Sequence, residues 1–196
     1  MHRREAVDTD AGARAPQGRD TMIGNTHVRL RPTLLDDLEF VISVENDPVN
    51  RPFITPWDRT QHEAAVRFPD FRHFIVEAGD SPAPVGFVIL VGCRSPHHSL
   101  ELKRMVVQAK GRGVGRACLR LLKKVAFNDL GAHRFWLDVR THNTRAKALY
   151  ETEGFVEEGR LRECVRTDGG YESLVVMSML EDEYDARREA GLEKAD

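Results

Sequence analysis

The sequence predicts an α/β fold: one domain with a mixed central β-sheet flanked by helices, in which a bulged strand opens into a pyrophosphate-binding turn. Three observations carry this reading. Segments 71–78, 84–91 and 100–107 are rich in Val, Ile, Leu and Phe at strand spacing. A strongly amphipathic helix begins at 114. Between the last of those strands and that helix lies the glycine-alternating run Lys110-Gly111-Arg112-Gly113-Val114-Gly115-Arg116.

Taken in order, residues 1–24 carry little that is large and apolar, so ordering them would cost entropy that no core contact repays, and a disordered tail is expected. The alternation His27-Val28-Arg29-Leu30-Arg31 predicts a first strand. Pro32 and Thr33 then open a helix with Leu34, Leu35, Leu38, Val41 and Ile42 on one stripe, ending near Asn46-Asp47-Pro48. Segment 51–70 is Pro-rich and irregular, with a short helix around 61–68, and forms a pocket wall. Strands 71–78 and 84–91 make a hairpin. In 100–107 strict period 2 sets Leu100 and Leu102 against Met105 and Val107. One extra residue near Lys103-Arg104, a β-bulge, would return all four to one face. Val114, Cys118, Leu121, Leu122 and Val125 mark a helix over 114–129, stopped by Gly131. Phe135, Leu137 and Val139 mark a strand, 143–153 a helix, and 155–166 with 171–180 a terminal hairpin. The domain spans 25–184, followed by a charged tail over 185–196.

A chain of 196 residues with 41% hydrophobic content suits one core. With 29 basic against 31 acidic side chains it has no global positive field, so nucleic acid is not an expected partner. Cys93, Cys118 and Cys164 are scattered without CxxC spacing, and His97-His98 lacks a partner ligand at metal spacing. No disulfide framework and no metal site are therefore expected. No apolar run approaches the roughly 20 residues of a membrane helix, and the N-terminus has no apolar signal core, which predicts a soluble cytoplasmic protein without a membrane partner.

Alternating glycines let backbone N–H groups approach an anion while the following helix brings its positive dipole end to the same spot. Lys110, Arg112 and Arg116 add charge. The Gly-x-Gly-x-Gly spacing matches neither the Walker loop nor the dinucleotide fingerprint. A tight strand-to-helix turn without a ligand is the alternative at this point.

These residues resemble the GNAT acetyltransferase superfamily, whose acetyl-CoA signature is Arg/Gln-x-x-Gly-x-Gly/Ala at the start of a helix after a bulged strand. Lys110 to Gly115 follows it with Lys in place of Arg or Gln. The second signature, Asn before an Ala-x-x-x-Tyr helix and then Gly-Phe, stands as Asn143, Ala146, Tyr150 and Gly154-Phe155. Leu30-Arg31-Pro32 with Asn46-Asp47-Pro48 looks most like the branch containing ribosomal-protein N-terminal acetyltransferases. The resemblance implies a single GNAT-like domain over 25–184, acetyl-CoA as co-substrate without a metal, and a primary amine as acceptor, either a protein N-terminus or a small molecule; a homodimer is compatible with it. It also implies that Met105, Val106 and Val107 pair with the pantetheine arm, that Gly111, Arg112, Gly113, Val114, Gly115 and Arg116 bind the pyrophosphate together with Lys110, that Asn143 holds the cofactor arm, and that Tyr150 protonates the leaving thiolate.

Each assignment has a structural alternative. Asn143 could cap its helix and Tyr150 could pack in the core. The base is Glu101, slightly favoured, or Asp138, or a water chain, and either carboxylate could instead be a solvated strand residue. Phe53 and Trp57 are acceptor-pocket aromatics or loop anchors. A non-catalytic acyl-CoA-binding module and a nucleotide-binding enzyme are the competing functions. Because only a neutral amine attacks a thioester, an α-amine, roughly a tenth neutral at pH 7, is favoured over lysine, neutral in fewer than about one molecule in a thousand.

Overall fold

The computed structural model describes residues 23–24, 27–79, 81–108 and 111–193. The tail expected over 1–24 lies outside them except for Ile23–Gly24, a two-residue β1 paired with β2, Val28–Pro32. The other strands are β3, Phe71–Ala78; β4, Pro84–Val91; β5, Ser99–Val107; β6, Arg134–Arg140; β7, Val156–Thr167; and β8, Gly170–Leu180. They form one sheet in the order β1-β2-β3-β4-β5-β6-β8-β7. Every neighbouring pair is antiparallel except β5 and β6.

The bulge expected in β5 is present. Ile89 faces Arg104 and Leu90 faces Leu102, leaving Lys103 as the extra residue. Leu100, Leu102, Met105 and Val107 consequently join one core, while Val106 enters the core on the other face. The parallel pairing of β5 with β6 is short, running from Ser99–Arg134 to Glu101–Trp136, after which the two strands part.

Helices cover both faces. Helix α1, Leu38–Asn46, and α2, Arg59–Arg67, lie on one side, where Val41 and Val44 pack on Ile75, Phe87, Ile89 and Val106. On the other side α3, Val114–Lys124, buries Val114, Cys118, Leu121 and Leu122 with Phe135 and Leu137. Helix α4, Thr144–Thr152, connects β6 to β7, and α5, Glu181–Glu189, follows β8. The helix expected from Pro32 starts later, because Asp37 accepts the Leu34 N–H at 2.8 Å and clamps Arg31 through two bonds of 2.7 and 2.8 Å. These charge-assisted bonds hold 35–37 as a tight 3₁₀ turn and leave Leu34 exposed. The helix expected over 114–129 changes at Val125 into a π turn, with Leu130 N–H bonded to Val125 O at 2.9 Å.

The charged tail expected from 185 is instead part of the domain as far as Glu193. Lys123 is fully buried, 2.9 Å from the Glu153 carbonyl and 3.2 Å from its carboxylate, and Glu193 supplies a second carboxylate at 2.5 Å. Burial pulls the Lys123 ammonium down from its ordinary pKa while both carboxylates oppose the shift. An ammonium so desolvated needs that second partner, which pins the chain beyond α5.

A polar chain runs beneath α1 and α2. Glu45, His62, His73 and Thr33 are all buried. Arg104 donates to Glu45 Oε1, and Glu45 Oε2 accepts the Trp57 N–H at 2.8 Å and lies 3.3 Å from His62 Nε2. His62 Nδ1 lies 3.2 Å from His73 Nε2, and His73 Nδ1 lies 2.9 Å from Thr33 Oγ1. One direction satisfies every group: Thr33 O–H to His73, His73 N–H to His62, His62 N–H to Glu45.

Burial, aided by repulsion from His62 and Arg104, pulls the His73 imidazole down to about 3. Below the ordinary histidine pKa the unfolded chain binds a proton that the folded chain refuses, so this group makes stability fall as pH drops from about 6.5 to about 3. Its share between pH 6.5 and 5 is about 2 kcal/mol. Urea denaturation of wild type and His73→Gln at pH 7 and pH 5 checks this. A shallower pH dependence is expected in the variant, and equal slopes would place the effect elsewhere.

Candidate active site

The glycine turn leaves its backbone open on one side. Gly111 and Gly113 have φ of +83° and +78°, and a Cβ added at either would meet nothing within 4 Å. Glycine is thus required for the backbone and leaves open space beside it. Gly113 caps α3, whose first intrahelical bond is Ala117 N–H to Gly113 O at 3.0 Å, so the N–H groups of Val114, Gly115 and Arg116 precede the hydrogen-bonded turns. Arg112 and, on α4, Arg145 are exposed and engage no carboxylate among the described residues. Arg116 is half exposed and lies 2.5 Å from Glu153. Lys110 lies outside the described residues.

This turn opens onto a cavity of about 790 Å³ that occupies the gap where β5 and β6 part. The β6-side edge of Leu102, Lys103, Arg104, Met105, Val106 and Val107 has no strand partner there, and all six residues line the cavity. Gly111, Gly113, Gly115, Arg116, Asn143 and Tyr150 line it from the α3 and α4 side. From the α1 and α2 side come Asn50, Phe53, Ile54, Thr55 and Trp57, with Val165 and Leu174 from the β7–β8 hairpin. Alternation along β6 assigns Phe135, Leu137 and Val139 to the core, which turns Asp138 and Arg140 to the opposite face. The cavity therefore joins the two faces of the sheet.

Tyr150 and Asn143, seven residues apart, both face the cavity. Asn143 does cap α4, its Oδ1 accepting the Ala146 N–H at 3.3 Å, and its amide group is left for other contacts. Tyr150 packs against Phe155 at 5.8 Å between ring centroids, and its hydroxyl has no hydrogen-bond partner among the described residues. Burial, with Cys118 and Asp138 adding to it, pushes the phenol above its ordinary pKa, so it holds its proton at neutral pH. The two candidate bases separate. Asp138 lines the cavity and bears electrostatically on Tyr150. Glu101 lines a shallower depression with Phe68, Arg94 and Trp136, and its carboxylate is 3.0 Å from Lys103. The parting of the strands is the reason, since Glu101 stands opposite Trp136 in the last paired register of β5 and β6, whereas Asp138 lies beyond it.

Two cavity residues escaped the sequence reading. Arg104 is nearly buried, bonded to Glu45, with its guanidinium 5.2 Å from the Trp57 ring centroid. Arg140 is also nearly buried, with Nη1 3.0 Å from Glu172 and Nη2 3.0 Å from Thr55 Oγ1. The alternation that marks Asp138 marks Arg140 equally, and Glu45 sits seven residues after Leu38 on the apolar stripe of α1, where an acid signals a buried partner. Phe53 and Trp57 both line the cavity, and Phe53 is 5.4 Å from the His142 ring.

This chain is similar to known proteins in sequence and in fold. Residues 38–155 match the Acetyltransferase (GNAT) family. A spermidine N(1)-acetyltransferase of Vibrio cholerae is 28% identical over 176 residues, 84% of this chain and 99% of that protein. A putative ribosomal N-acetyltransferase of Bacillus subtilis is 30% identical over 79 residues, 40% of this chain and 43% of that protein, a partial match that does not establish the ribosomal branch. The crystal structure of V. cholerae spermidine N-acetyltransferase in complex with CoA and spermine superposes with a TM-score of 0.73 at 26% identity, covering 82% of this chain and 99% of that one. The match spans α1 through the glycine turn to Phe155, which includes every cavity-lining residue named above except Val165 and Leu174, and the chain belongs to the GNAT acetyltransferase family.

Proposed function

We propose that this protein transfers an acetyl group from acetyl-CoA to a primary amine by direct attack on the thioester. The observation that carries the reading is the convergence of the glycine turn, Asn143, Tyr150 and Asp138 on one cavity between parted strands. Gly111, Arg112, Gly113, Val114, Gly115 and Arg116, with Lys110 beside them, take the pyrophosphate through backbone N–H groups and guanidinium charge. Met105, Val106 and Val107 offer the pantetheine amides a strand edge, as in β-augmentation, and Asn143 steadies the arm.

The amine nitrogen attacks the thioester carbonyl, forming the C–N bond. A backbone N–H stabilises the tetrahedral oxyanion as it forms. Collapse breaks the C–S bond, and Tyr150, neutral at working pH, gives its proton to the departing thiolate. Asp138 takes the proton lost by the attacking amine, directly or through water. Glu101 has no part in this scheme, because it opens onto the other depression. The acceptor is an α-amine or a small-molecule amine of similarly low pKa, since one acid is the only base at hand and a lysine-like amine would start about 3 kcal/mol behind. A homo-oligomeric state belongs to the same reading; a related V. cholerae spermidine N-acetyltransferase has been described as dodecameric.

CoA at a hundredfold excess over its Kd should stabilise the wild type by about 2.7 kcal/mol, read as a thermal shift. Gly115 tests the turn cleanly: its φ is ordinary and an added Cβ meets only Leu149 Cδ2 at 3.9 Å. Gly115→Val should keep the fold and lose the shift, and a retained shift would rule out pyrophosphate binding at this turn.

Tyr150→Phe should lower kcat about 10²- to 10⁴-fold while leaving CoA affinity nearly unchanged. Losses of equal size in both would reassign Tyr150 to packing or binding.

A further inference from the structure

The acceptor side of the cavity is rich in donors and poor in acceptors. Arg104 and Arg140 line it, and guanidinium groups only donate. The carboxylates that neutralise them, Glu45 and Glu172, do not line the cavity. Glu45 is fully buried, with Oε1 taken by Arg104 and Oε2 by the Trp57 N–H and His62. Glu172 Oε2 forms an ion pair with Arg140 Nη1 at 3.0 Å, yet neither atom has a hydrogen-bond partner among the described residues, which leaves Arg140 Nη1 a buried donor without an acceptor. Thr55 Oγ1 already accepts from Arg140, and Asn143 Oδ1 from Ala146. Among the described residues Asp138 is left as the one acidic side chain lining the cavity. Apart from Asn50, whose Nδ2 donates to Val44 O at 2.9 Å, the rest of this wall is apolar or aromatic: Val49, Phe53, Ile54 and Trp57.

We infer that Arg104 and Arg140 read an oxygen acceptor placed beside the reactive amine, a carbonyl or a carboxylate, and that polyamines are poor substrates. The inference rests on the acetyltransferase reading above and names its acceptor class: α-amino acyl compounds with an apolar side chain. A polyamine presents the opposite chemistry. With one nitrogen neutral for attack, its remaining ammonium groups would face arginine N–H groups and find no free carboxylate beyond Asp138, so their desolvation goes uncompensated. An α-amino acyl group fits each feature in turn. Its amine meets Asp138, its carbonyl oxygen lies within reach of guanidinium donors, and its side chain packs on Trp57 and Phe53. The buried chain from Glu45 to Thr33 holds Arg104 and the Trp57 backbone in place for this role.

The test compares acetylation of phenylalaninamide, phenylalanine, phenethylamine and spermidine, with kcat/KM corrected for the neutral fraction of each amine from its pH profile. The amide and the acid share the acceptor oxygen, and their order tells carbonyl from carboxylate. The better of the two should exceed phenethylamine by about 10- to 100-fold per neutral amine, the size of a hydrogen bond to a charged group, and spermidine should be slowest. Arg140→Met should remove most of that margin while the CoA thermal shift persists, since the Glu172 left behind is 30% exposed and can be hydrated. Arg104→Lys gives a second reading: it keeps the charge on Glu45 but loses the planar fork, and should narrow the same margin. Phenethylamine or spermidine matching the amide would overturn this inference while acetyl transfer stands. Absence of acetyl transfer to all four, with the CoA shift intact, would overturn the acetyltransferase reading and this inference together.

Discussion

The site depends on the parting of β5 and β6. Two parallel strands that stay paired leave no room between them, and here the pairing ends at Glu101–Trp136. Beyond that point β5 is held by β4 alone and carries the Lys103 bulge, while β6 is held by β8. Each strand keeps one satisfied edge and turns the other to the gap. An unsatisfied strand edge inside a protein is costly unless water or a ligand meets it, so the gap stays open to one or the other. The glycine turn stands at its mouth because it directly follows the parted strand.

The two faces of the sheet divide the work. On the α3 and α4 side the arginines are open: Arg112 and Arg145 are exposed and engage no carboxylate among the described residues. On the α1 and α2 side the arginines are nearly buried and each carries its own carboxylate, Glu45 for Arg104 and Glu172 for Arg140. Buried ion pairs add little net stability, but they fix geometry, and removing one partner is expensive. The pairs thus present donors at set positions without adding much net field to the acceptor pocket.

A second polar knot ties the C-terminus to the cofactor side. Glu153, fully buried, accepts from Arg116, Arg120 and Lys123, and Lys123 also holds Glu193. Arg116 belongs to the glycine turn, so the turn and the chain beyond α5 share one carboxylate. The residues after Leu180 are highly charged by composition, yet their burial follows from the need to neutralise a single desolvated ammonium.

The sequence by itself determined the element order, the bulge, the glycine turn and the pairing of Asn143 with Tyr150, because each is a local pattern: period 2 with one residue inserted, glycine at alternate positions, and a seven-residue helical repeat. It also marked the family, since those patterns recur at fixed spacing. It could not choose between Glu101 and Asp138. Both sit on strands with polar residues out, and only the point at which β5 leaves β6 decides which carboxylate opens on the cavity. Nor could it pair Glu45 with Arg104, 59 residues apart, or join Lys123 to Glu193. Such pairs are set by desolvation at long range, where what matters is which charges the packed layers enclose together, and no local repeat records that.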